Sequence, residues 1–63
     1  MNEAKAREIL GEWFLQKDDS LYNNVRFMDW HPGEERACLD ADFTADELEA
    51  IAWWMRHKGQ RND

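Results

Sequence analysis

Apolar residues along the chain fall into three spacing regimes. Ala6, Ile9, Leu10, Trp13 and Phe14 recur at intervals of three and four, which puts them on one stripe and predicts an amphipathic helix over residues 3–16. Glu3 and Arg7 stand four apart on its polar side, in the favourable orientation for an ion pair. Gly11 interrupts the pattern at a cost of about 1 kcal/mol relative to alanine. Asp18, Asp19, Ser20, Asn23 and Asn24 then read as loop and turn formers, so the helix is expected to stop near Lys17.

Residues 25–30 predict a strand with apolar groups on both sides: Val25 and Phe27 on one, Met28 and Trp30 with Arg26 on the other. His31-Pro32-Gly33-Glu34 is a turn, because proline presets φ at the second position and glycine accepts positive φ at the third. Residues 36–43 alternate, with Ala37, Leu39, Ala41 and Phe43 against Arg36, Cys38, Asp40 and Asp42, as in a half-buried strand. The two strands make a β-hairpin with a loop of about three to five residues.

Thr44-Ala45-Asp46-Glu47 is a capping box, with Phe43 placed to staple onto Leu48. The helix it opens carries Leu48, Ile51, Ala52 and Met55 as its expected apolar stripe. Acidic residues fill its first turn, Arg56, His57 and Lys58 its last, and Gly59 stops it. Residues 60–63 are expected to fray. The expected fold is therefore a two-layer α+β domain of helix–β-hairpin–helix order, spanning 1–63. Both helices should pack on the Ala37/Leu39/Ala41/Phe43 face of a two-stranded antiparallel sheet.

Sixty-three residues allow a single small domain with a marginal core. Such chains commonly need a staple, yet one cysteine excludes an internal disulfide, and a lone cysteine with two distant histidines argues against structural zinc. Aromatics supply the alternative. They make up 13 % of the chain and include four tryptophans, a folding composition despite a net charge of −6. No leader or bilayer-spanning run is recognisable, and a cytoplasmic location is expected.

Charge is uneven. Residues 29–49 hold eight acidic groups (Asp29, Glu34, Glu35, Asp40, Asp42, Asp46, Glu47, Glu49) against one basic group, Arg36. That balance disfavours direct contact with nucleic acid or an anionic membrane. It suits either a solubilising surface or a complement to a basic partner, including a site that ordinarily holds nucleic acid.

The run Asp42-Phe43-Thr44-Ala45-Asp46-Glu47-Leu48-Glu49-Ala50-Ile51-Ala52-Trp53-Trp54-Met55 resembles a segment of short uncharacterised bacterial and prophage-encoded proteins. The Leu39-Asp40 pair leading into it and the Trp30…Pro32 turn fit the same likeness, which covers about half of the chain. The resemblance implies a small accessory protein with no assigned chemistry and carries over no functional residue.

Catalysis finds little support. Cys38 lies mid-strand, away in sequence from His31 and His57, and the three glycines are scattered rather than gathered into a phosphate loop. Asp40 and Asp42 share a strand face about 7 Å apart, which suits a solvated surface better than paired acid–base work. No catalytic residue, cofactor or metal is expected.

The Trp53-Trp54 pair is more informative, since adjacent residues on a helix cannot both point at one core. Measured from the expected stripe, Trp54 lies about 110° and Trp53 about 150° away. One reading has Trp54 capping the edge of the core and Trp53 lying over the first helix or the hairpin. The other makes one of them a contact surface, for which tryptophan is well suited.

The expectation is a non-enzymatic acidic accessory protein that binds another protein through Trp53, Trp54, Trp30, Met28, Asp40 and Asp42. One alternative is a homodimer that buries Trp53 and the Met28/Trp30 side of the hairpin. Another is an acidic mimic seated in a partner's nucleic-acid site.

Overall fold

The structure, a computed structural model, describes residues 1–59; the fraying expected of residues 60–63 lies outside them. The elements in order are α1 (Glu3–Leu10), β1 (Leu21–Asn23), β2 (Phe27–Trp30), β3 (Cys38–Asp40) and α2 (Ala45–Lys58). The strands form one antiparallel sheet in the order β1-β2-β3. The α+β class is as expected, but the sheet has three strands rather than two.

Helix α1 opens on Asn2, whose side chain accepts from the Lys5 amide at 2.8 Å, and Glu3 pairs with Arg7 at 3.0 Å. It ends six residues short of the expected Gln16. The amides of Trp13, Phe14 and Leu15 all converge on the Leu10 carbonyl, a crowded turn that cannot propagate a helix. This turn drives Phe14 into the core and leaves Trp13 half exposed.

Strand β1 lies in the segment read from sequence as loop. Asp18 holds a tight turn through its Oδ1, which accepts from the Ser20 amide at 3.0 Å, and Asp19 takes a left-handed φ of 66°. The chain then returns on itself. Leu15 bridges Leu21, and the Tyr22 amide donates to the Phe14 carbonyl at 2.9 Å. Asn23 organises the next turn, its Oδ1 accepting from the Val25 amide at 2.7 Å. At the β2–β3 connection, Gly33 has φ 102° and the Glu34 amide donates to the His31 carbonyl, the turn the sequence predicts.

Direct pairing of Leu21 with Trp30 and of Met28 with Leu39 puts these four on one face of the sheet. Both helices pack against that face. The core comprises Ala6, Leu10 and Phe14 from the N-terminal segment, Leu21, Met28 and Trp30 from the sheet, and Ala50, Ile51 and Trp54 from α2. It sits over β1 and β2, not over the Ala37/Leu39/Ala41/Phe43 row. Ala37 and Phe43 are half-buried, Ala41 is exposed, and Leu39 retains 37 % exposure.

Helix α2 has the capping box in full. Thr44 Oγ1 accepts from the Glu47 amide at 3.1 Å, and Glu47 Oε1 accepts from the Thr44 amide at 2.8 Å. Its buried stripe is Ala50, Ile51 and Trp54, rotated from the Leu48/Ile51/Ala52/Met55 stripe expected; Leu48 and Ala52 are exposed. Phe43 packs on Phe14, with ring centroids 5.5 Å apart. The cause of the rotation is Trp54. Its indole offers the largest apolar surface on the helix, and its Nε1 donates to the Asp19 carbonyl at 2.9 Å, so it can be buried without an orphaned donor. Gly59 closes α2 against Trp30: a Cβ there would stand 3.0 Å from Trp30 Cζ2.

Candidate functional site

The face of the sheet turned away from the helices is uncovered among the described residues. The register sets Tyr22, Asp29 and Cys38 in one row across the three strands, with Phe27 beside Asp40 in the next. Tyr22 is 46 % exposed and Phe27 40 %, while Val25 protrudes from the β1–β2 turn at their end. Two aromatic rings and two carboxylates thus alternate over this surface. Asp29 Oδ1 is shielded from water and makes no hydrogen bond; His31 Nε2 stands 3.4 Å from it.

The two edges of the sheet differ. Beyond β1 the chain itself supplies partners: Phe14 and Leu15 by backbone, and Gln16 Nε2, which donates to the Tyr22 carbonyl at 3.2 Å. Beyond β3 there is no backbone partner among the described residues, and Cys38, Leu39 and Asp40 are all exposed.

The residues expected to meet a partner fall into two groups. Met28, Trp30 and Trp54 are fully buried in the chain's own core and offer no contact surface, which corrects the expectation for these three. The reason lies in the phase of the sheet: once β1 supplies Leu21 opposite Trp30, the Met28/Trp30 side becomes the interior. Trp30 also donates its Nε1 to the Glu34 carbonyl at 2.9 Å. The homodimer expected through the Met28/Trp30 side therefore has no surface there.

Trp53, Asp40 and Asp42 stay at or near the surface. Trp53 is half-buried and stacked on His57, with centroids 4.1 Å apart, while the His57 ring Nδ1 approaches the Trp53 carbonyl at 2.8 Å. Asp40 lies on the outer sheet face. Asp42 follows β3, and its carbonyl accepts from Arg26 Nη1 at 3.4 Å.

Sequence reasoning missed a polar group that ties three segments together among the described residues. Arg26, from the β1–β2 turn, forks onto Glu47 with Nη1–Oε1 at 3.0 Å and Nη2–Oε2 at 2.5 Å. Its guanidinium lies over Phe14, Phe43 and Trp13 at 5.1, 5.6 and 5.8 Å from the ring centroids. The hydrogen bonds from Arg26 chiefly, and the Thr44 amide in addition, hold the Glu47 carboxyl below the ordinary glutamate range. Both Nη atoms donate to groups of this chain, Glu47 and the Asp42 carbonyl, so the cluster is a fastening between sheet and helix. Glu47 was legible as half of the capping box; nothing local in sequence marks Arg26 as its second partner.

Cys38 is exposed and makes no hydrogen bond to either histidine, and among the described residues no three His, Cys, Asp or Glu groups gather as a metal would need. An open groove of about 510 Å³ runs between the β2–β3 connection and the end of α2, lined by Gly33, Glu34, Glu35, Ala52, Met55, Arg56 and Gly59. The Glu34 carboxylate is already engaged by the His31 amide at 2.8 Å. No helix among the described residues is long and apolar enough to cross a membrane. In comparison with known proteins, the chain matches no family model, no curated protein and no solved structure.

Proposed function

We propose that this chain is a non-catalytic protein-binding module, and that its binding surface is the outer face of the sheet. The observation that carries the reading is the exposure of Tyr22 and Phe27 on a face no helix covers, flanked by Asp29 and Asp40. Aromatic rings in an otherwise polar surround are the usual anchors of protein interfaces. A net charge of −6 favours partners of opposite sign. The resemblance of the Asp42–Met55 segment to bacterial and prophage accessory proteins supports a cytoplasmic accessory role, as does the single unpaired Cys38.

The test is affinity capture from cells that encode the chain, comparing the native protein with a Tyr22→Ala/Phe27→Ala variant whose fold is verified by circular dichroism. The expected result is at least one protein retained by the native chain and lost with the variant. A capture profile indifferent to both rings overturns the reading.

A further inference from the structure

We propose that the partner presents a basic, extended segment that adds to the sheet as a fourth strand beside β3. It goes beyond the binding-face reading above, because it concerns the open β3 edge of the same sheet and not the Tyr22/Phe27 surface.

The first ground is the asymmetry of the edges. Phe14, Leu15 and the Gln16 side chain occupy the β1 edge, so a new strand is blocked there. The β3 edge has no backbone partner among the described residues, and an unpaired edge is a template for strand addition.

The second ground is the pleat. Leu39 points to the same side as Met28, with which it pairs, yet Met28 is fully buried and Leu39 is 37 % exposed. The inner face runs out of cover at β3. A strand placed outside it would set its own inward side chain against Leu39 and complete that row.

The third ground is charge. On the outer side the same incoming strand would meet Cys38 and Asp40, with Asp29 one strand further in and Asp42 just beyond. Lysine or arginine opposite Asp40 forms a favourable cross-strand pair, while an acidic residue there is repelled. The recognised segment therefore alternates, basic on the outer side and apolar on the inner. A second copy of this chain fits less well. It brings another −6 to an edge where Glu34, Glu35, Asp40 and Asp42 outnumber the single Arg36.

The experiment titrates the full chain into a fluorescein-labelled, acetylated heptapeptide of alternating lysine and valine, followed by anisotropy. An isomer of the same composition with its lysines grouped serves as control. The alternating peptide is expected to bind about tenfold more tightly than the isomer, because only it places all charges on one side of a strand. Binding should weaken by about tenfold between roughly 50 and 200 mM salt. Asp40→Lys should reduce it to a similar degree; Asp40 is exposed, so the fold is not at stake. Amide resonances of Cys38, Leu39 and Asp40 should shift most.

Equal binding of the two isomers overturns strand addition, as does an Asp40→Lys variant with unchanged affinity for the alternating peptide. Self-association through β3 that salt strengthens also overturns it, in favour of a second copy. Capture that depends on Tyr22 and Phe27, with the alternating peptide ignored, removes the strand proposal and leaves the binding-face reading standing.

Discussion

Arg26 and Glu47 lie 21 residues apart in sequence and meet side by side, both guanidinium Nη atoms on both carboxylate oxygens. The pair ties the β1–β2 turn to the first turn of α2, and the same carboxylate closes the helix cap on the Thr44 amide. Glu47 is 12 % exposed and Arg26 33 %, so water screens the contact less than it would a surface pair. One side chain thus fastens the helix to the sheet and begins the helix.

Removing that carboxylate should be felt twice. Glu47→Ala is expected to lower stability by about 1–3 kcal/mol, combining a lost cap contribution with a partly screened ion pair. Thr44→Ala should cost about 0.5–2 kcal/mol. Urea unfolding of both single variants and the double variant should give a sum that is not additive, because the two side chains share one box. Strict additivity would mean that the two halves of the box act independently.

Stability should fall on the acid side. Three carboxyls are held below their ordinary values: Glu47 chiefly by hydrogen bonds from Arg26, Glu3 by Arg7 and then Lys58, and Asp18 by Ser20. A carboxyl depressed by folding contributes stability that is fully present above its unfolded value, near 4 for these types, and lost as pH falls through the folded one. The thermal midpoint is expected to hold through neutral pH and drop below about pH 4.5. Glu47→Gln should make that drop shallower. An unchanged acid profile in this variant would remove Glu47 from the account.

The neighbouring tryptophans should behave unlike one another. Trp54→Ala is expected to cost about 3–5 kcal/mol, as for a buried aromatic, and leaves the Asp19 carbonyl without its donor. In a chain this small that approaches global unfolding. Trp53→Ala should cost about 1 kcal/mol, since the ring is only half covered and leans on His57. Comparable losses at the two positions, read from denaturant midpoints, would place Trp53 in the core after all.

Gly33 separates backbone strain from crowding. Its φ is 102°, and a Cβ added there would meet nothing within 4 Å. Gly33→Ala is expected to lower stability by about 1 kcal/mol or more through the disfavoured φ alone. A neutral substitution would show that the His31–Glu34 turn relaxes into another conformation at no cost.

Features that depend on residues within one turn of each other were legible before any coordinates. The Thr44–Glu47 box, the span of α2 to Lys58 and the stop at Gly59 follow from capping and charge placement. The His31–Glu34 turn follows from proline and glycine in fixed order. Each is a contact over three or four residues, so the signal and its cause share a window. The alternation around Leu39 was legible in part: of the strand expected over residues 36–43 only Cys38–Asp40 is extended and paired, with Leu39 on the inner side and Cys38 and Asp40 on the outer.

Tertiary structure decided which of those faces became the interior. Strand β1 has no local signature, because Leu21–Asn23 is extended only by virtue of pairing with β2 on one side and Leu15 on the other. Its arrival turned Met28 and Trp30 inward and left Tyr22 and Phe27 outside, reversing the surface expected for binding. The phase of α2 was set in the same way, by a carbonyl at Asp19 lying 35 residues from the indole it satisfies. Spacing along a helix measures angles between side chains but carries no information about where the distant acceptor stands. In a chain with aromatics on several faces, that acceptor chose which tryptophan went in.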